Sequence, residues 1–87
     1  LKLSLEDAVS IFRDLEEYVI SFDRIISRIG SGADPVIFIE YLAAREVPAR
    51  LARVRELLGD ELEALVGEEA LEAIAEDVFR YSDGDLT

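Results

Sequence analysis

Six residue types are missing from this 87-residue chain: cysteine, histidine, methionine, tryptophan, asparagine and glutamine. Without cysteine there are no disulfides and no thiolate metal sites. Without histidine the commonest metal ligand and the commonest general base are gone. Serines occur at 4, 10, 21, 27, 31 and 82, with no histidine to activate them and only Lys2 as a lysine partner. The lack of both amide side chains points to a biased source or a simplified sequence. No uninterrupted apolar run exceeds four residues, far short of the ~20 that span a bilayer. Residues 1–5 lack the charged-then-apolar order of a leader. A cytoplasmic protein with no membrane contact is therefore expected.

Positive charge is scarce at one end. Net charge is −11, and residues 1–55 carry nine acids against eight bases. Residues 56–87 carry eleven acids and only Arg80. Phosphate contacts favour a basic surface, so this balance argues against wrapping nucleic acid. An acidic field favours solubility or a basic protein partner. It also suits salty surroundings, where self-repulsion is screened.

What is present is helical. The composition is 51% hydrophobic and rich in Leu, Ala, Glu and Arg, enough for a single helical domain over residues 1–87. Leu5, Ala8, Phe12, Leu15, Val19, Phe22, Ile26 and Ile29 follow alternating spacings of three and four. That period predicts a helix over about 5–29, about 37 Å long. A second row, Ile11, Tyr18 and Ile25, runs beside the first, and Val9 and Ile20 add apolar surface. The face is too broad for a two-position coiled-coil seam alone. We expect it to be the spine of a bundle, with whatever the later helices leave uncovered as a dimer seam. Ser4 is the expected N-cap, and Gly30-Ser31-Gly32 the stop. These glycines lack the preceding strand and the lysine of a phosphate loop.

Asp34-Pro35 restarts the chain as a helix over about 35–45. Only Glu40 is polar between Val36 and Leu42. The β-branched content permits a strand over 36–41, but the cap and the following Ala43 and Ala44 favour helix. A helix apolar nearly all round is either central or half of an interface, and a domain this small favours the interface. Pro48 opens a helix over about 48–58 carrying Leu51, Val54, Leu57 and Leu58. Gly59 reads as its end and Asp60 as the next cap. Helices over about 60–66 and 68–82 follow, with a frayed tail at 83–87.

Glu68, Glu72 and Glu76 share a helix face, but a di-metal bundle site would add histidine. Asp83-Gly84-Asp85 lacks the ligand frame of a calcium loop. We expect no catalytic residue, no metal and no cofactor, and a non-enzymatic protein.

Two functions remain. The first is an all-α, dimeric bundle of four to five helices built on the long N-terminal helix. It acts as a self-associating protein-interaction module through Phe12, Tyr18, Phe22, Ile25, Phe38 and Tyr41, with its acidic C-terminal surface open to a basic partner. The alternative is a DNA-binding regulator using a helix-turn-helix at about 35–58, with Arg50, Arg53 and Arg55 on phosphates or base edges. The same arginines can instead pair with the acidic C-terminal helix inside the domain, the use we favour for them.

Overall fold

Ser4 starts the first helix. In the computed structural model, which describes residues 3–84, the Asp7 amide donates to Ser4 Oγ at 3.0 Å. This satisfies one of the donors left open at a helix start. Helix α1 then runs 26 residues, Leu5–Gly30. Gly32 ends it at φ +109°, a conformation closed to most side chains. From there the Gly32 amide donates to the Ile29 carbonyl and the Ala33 amide to the Arg28 carbonyl, each at 3.0 Å. This crossed pair is the glycine-dependent closure of a helix C-terminus.

Helix α2 spans Val36–Ala44. The Val36 amide donates to Asp34 Oδ1 at 2.9 Å, so Asp34 caps the start and Pro35 presets the turn. The segment that tolerated a strand reading is therefore helix. Arg45 and Glu46 form the turn into α3, Val47–Val66, with Glu46 left-handed at φ 51°.

Residues 60–66 do not form a separate helix. Gly59 lies inside α3, because an interior glycine costs only about 1 kcal/mol relative to alanine. The inward-facing positions Val47, Val54 and Glu61 keep their seven-residue spacing across it. The break falls at Gly67, whose φ of +90° and ψ of 161° stop the helix. Helix α4, Glu68–Glu76, also ends earlier than the expected residue 82. Glu72, Glu76 and Asp77 crowd its negative end, where acids are unfavourable. Arg80 folds back from beyond, donating to the Glu76 and Ala75 carbonyls at 3.2 and 3.0 Å. There are thus four helices among the described residues. Leu1, Lys2 and tail residues 85–87 lie outside the described residues.

The Gly59 result makes a prediction. A Cβ at Gly59 would meet nothing within 4 Å, and its backbone is helical. Gly59→Ala should therefore stabilise the fold by about 0.8–1 kcal/mol, read as a higher urea midpoint. A lower midpoint would mean that α3 is broken there.

Helix α1 packs antiparallel against an arm made of α2 and α3. Phe22 meets Phe38 edge-on at 5.1 Å between ring centroids. Further along, Arg45 reaches Glu17, Arg50 reaches Asp14, Arg53 reaches Asp7, and the Leu3 amide donates to Glu61. Numbers fall along α1 as they rise along the arm. Helix α4 packs on α3 alone. Among the described residues the buried apolar side chains are Ile11, Tyr18, Val47 and Val54, on the line where α1 meets α3. Extents of 46 × 34 × 17 Å leave no room for a third helix layer in the thin direction. The radius of gyration is 16.1 Å, against about 12 Å for a compact chain of this length.

Candidate interaction surface

The two apolar rows of α1 meet different fates. Ile11 and Tyr18 are buried under the arm and Ile25 is half-buried. The row at Leu5, Phe12, Val19 and Ile26 is left open, with exposures of 81, 63, 69 and 61%. These four lie seven residues apart. The intervening positions, Ala8, Leu15, Phe22 and Ile29, sit at the margin between covered and uncovered surface. Together they make the apolar pair of positions of a heptad repeat, sustained over most of the helix. The flanking row, not the leading one, became the core.

The solvent-accessible area agrees. The chain exposes 6946 Å², against about 5,100 Å² for a compact monomer of its mass. The irregular segment after Glu76, with exposed Val78, Phe79 and Tyr81, contributes to this excess. Much of the rest is aliphatic and aromatic side chain on the helices.

On the other flank of α1 the contacts are charged. Arg50 Nη2 donates to Asp14 Oδ1 at 2.7 Å and to Glu17 Oε1 at 3.0 Å, and Nη1 donates to Glu17 Oε2 at 3.1 Å. Arg45 forks onto the same Glu17 carboxylate at 2.9 and 3.1 Å. The Tyr41 hydroxyl adds a bond to Glu17 at 2.7 Å. The Arg50 guanidinium also lies 5.0 Å from the Tyr18 ring centroid, in range for a cation–π contact. That ring's hydroxyl is buried and has no hydrogen-bond partner among the described residues. Burial pushes the Tyr18 phenol above its ordinary value, and that of Tyr41 likewise. The bond from Arg45 first, then those from Arg50 and Tyr41, hold the Glu17 carboxyl well below the usual carboxylate range. Reciprocally, Glu17 first and Asp14 second hold Arg50 above its ordinary value.

A depressed carboxyl gives stability that is present above its unfolded pKa, near 4.5, and is lost as pH falls toward the folded value. Glu17→Gln removes that linkage. Its cost, about 1–3 kcal/mol at neutral pH for charged hydrogen bonds, should shrink steadily below about pH 4.5. Urea unfolding of parent and variant from pH 7 to 3 reads this difference directly. A pH-independent gap would refute the assignment.

The structure gathers Tyr18, Phe22, Phe38 and Tyr41 into one aromatic cluster within the chain. Tyr18 stacks on Phe22 at 5.8 Å, and Phe22 meets Tyr41 edge-on at 6.1 Å. Ile25 is half-buried and Phe12 stands apart, exposed. Of the arginines, Arg50 is engaged as above. Arg53 lies 3.4 Å from Asp7 and donates to Ser10 at 3.2 Å. Arg55 is exposed and makes no ion pair among the described residues. Arg50 and Arg53 pair with α1, not with the acidic C-terminal helix as expected. The reason is the antiparallel register, which sets Asp7, Asp14 and Glu17 beside them while α4 lies against α3 away from α1. Sequence reading missed Asp14 and Glu17 as anchors. The available signal was the polar row Asp7, Ser10, Asp14, Glu17 beside Ile11 and Tyr18.

An open depression of about 690 Å³ runs along α1, with Asp14, Glu17 and Arg50 at its wall engaged with one another. Among the described residues no three acidic side chains converge as a metal site, and no helix is long and apolar enough to cross a membrane. Comparison with protein-family models, curated proteins and solved structures finds no match.

Proposed function

We propose that this protein is a non-enzymatic helical association module that pairs with a second copy of itself through the open heptad face of α1. One observation carries the reading: Leu5, Phe12, Val19 and Ile26 stand mostly exposed at strict seven-residue spacing on a 26-residue helix. Such a repeat holds one apolar edge in line along a helix, the geometry a partner helix needs. The area supports a stable partner. The excess of about 1,800 Å² per chain, shared between this face and the segment after Glu76, is on the scale of the 1,000–2,500 Å² per partner that obligate homodimers bury.

Sedimentation equilibrium tests the reading. The expected result is a dimer at tens of micromolar in moderate salt, which screens two chains of charge −11. A strict monomer at that concentration would overturn it. The acidic end supports a basic partner as an additional occupant: Arg80, the one base after residue 55, already bonds the end of α4. The DNA-binding alternative draws less support, since Arg50 and Arg53 already have acidic partners on α1.

A further inference from the structure

The uncovered face is wider than α1 alone. At about 100° per residue, Asp7, Asp14 and Glu17 fall on one side of buried Ile11 and Tyr18. Phe12, Leu15, Val19 and Ile26 fall on the other. The same count on α3 puts Arg50 and Arg53 to one side of buried Val47 and Val54, and Leu51, Arg55 and Leu58 to the other. On α2, Tyr41 leans to the charged side, where it bonds Glu17. Ile39, exposed, lies beyond Phe38 on the opposite side. The charged flanks of α1 and the arm meet each other, and the two run antiparallel, so their apolar flanks point the same way. The molecule is a slab with one ion-paired face and one apolar face. The apolar face presents Phe12, Val19, Ile26, Ile39, Leu51 and Leu58, all exposed, with the exposed Arg55 beside the two leucines.

We propose that the second copy lies on this face antiparallel, α1 on α1 and arm on arm, closing a four-helix bundle. The proposal rests on the self-association reading above and adds its geometry. In this register the heptad positions meet in four distinct pairings, each made twice by the two-fold axis. Leu5 meets Ile29 of the second copy, Ala8 meets Ile26, Phe12 meets Phe22, and Leu15 meets Val19. Every helix then has antiparallel neighbours, the arrangement of up-down bundles. Ile39, Leu51 and Leu58 of one arm cover apolar side chains of the other. Glu16 and Asp23, on the outer flank of α1, stay at the wet edge. A parallel pairing has its two-fold axis along α1 and lays that outer flank under the partner's arm. Glu16 and Asp23 would then press on leucine and isoleucine, and burying carboxylates without partners is costly.

Because the chain has no cysteine, introduced thiols report without background. The test uses Ala8→Cys and Ile26→Cys, separately and mixed in equal amounts, under mild oxidation after subunit exchange. Antiparallel pairing brings residue 8 beside residue 26 of the second copy. It leaves each position roughly 27 Å from its own copy, eighteen residues at about 1.5 Å, while a disulfide needs Cα atoms within about 7 Å. The expected result is a disulfide-linked dimer in the mixture and none in either variant alone. Linkage of either variant to itself would overturn the antiparallel geometry while leaving the dimer standing. A dimer by sedimentation that never links in the mixture would also overturn the geometry. A parent protein that sediments as a monomer would instead fail the underlying reading. Helical circular dichroism equal to the parent's shows that each variant folds.

Discussion

Val19→Glu should leave the chain folded and make it a monomer. Val19 sits in the middle of the open row, 69% exposed in the isolated chain. A glutamate there meets water and belongs to the class of surface changes worth within about 0.5 kcal/mol of stability. In the dimer the same change acts twice, once per copy. Burial of an aliphatic side chain is worth about 1.5–3 kcal/mol. Two lost burials, with two carboxylates to desolvate in addition, weaken association by at least about 100-fold. Sedimentation equilibrium gives the shift in dissociation constant, and circular dichroism gives the retained helix. Ile74→Glu is the control. Ile74 is exposed on α4, which packs on α3 alone, and its replacement should leave the dimer intact. Equal loss from both variants would mean that apolar exposure in general, and not the heptad face, drives association.

That face was legible as a period and illegible as a surface. The three-four spacing from Leu5 to Ile29 fixes a helix and its apolar side. It does not say which of two adjacent rows a later helix will cover. Ile11, Tyr18 and Ile25 are three residues, against eight in the leading row, and counting alone favours the longer row as core. The deciding terms lie elsewhere in the chain. Arg45, Arg50 and Arg53 pull the arm toward the side of α1 that carries Asp7, Asp14 and Glu17. The row between those acids and the heptad positions is thereby buried.

The same logic accounts for the helix boundaries. Ser4 and Asp34 act through side-chain bonds to amides two or three residues on, and Gly32 through its own φ, so a local reading finds them. Gly59 and Gly67 have the same local cost, and only tertiary packing separates them. Gly59 lies inside α3, a helix that packs on both α1 and α4, and α3 is continuous through it. Gly67 comes six residues past Glu61, the last position of α3 bonded to the start of α1 through the Leu3 amide. There the chain is free to turn back. The early end of α4 was readable in principle, since Glu72, Glu76 and Asp77 form a run of acids where a helix wants bases.

Arg50→Ala should destabilise the fold by about 3 kcal/mol. Its guanidinium makes three bonds to two carboxylates, a fourth at 3.2 Å to the Arg45 carbonyl, and lies over the Tyr18 ring. Truncation leaves Asp14, only 14% exposed at its side chain, with no cation. Removing one partner of a mostly buried pair costs about 3–5 kcal/mol because the other charge stays behind. Partial exposure of Arg50 and Glu17, at 26 and 23%, puts this site at the lower end. Lysine should not rescue it, since a single ammonium cannot fork across two carboxylates. Arg53→Ala is the contrast: its bridge to Asp7 is 3.4 Å long and exposed on both sides, worth about 0.5 kcal/mol. A chain of this length holds only about 4–13 kcal/mol in total, so the Arg50 change falls within easy reach of urea titration. Dimerisation adds to apparent stability by mass action. The comparison therefore belongs in the Val19→Glu background, where the unfolding midpoint reports the α1–arm contact alone. A loss below 1 kcal/mol there would show that the apolar contact of Ile11 and Tyr18 with Val47 and Val54 sets the arm without its charged flank.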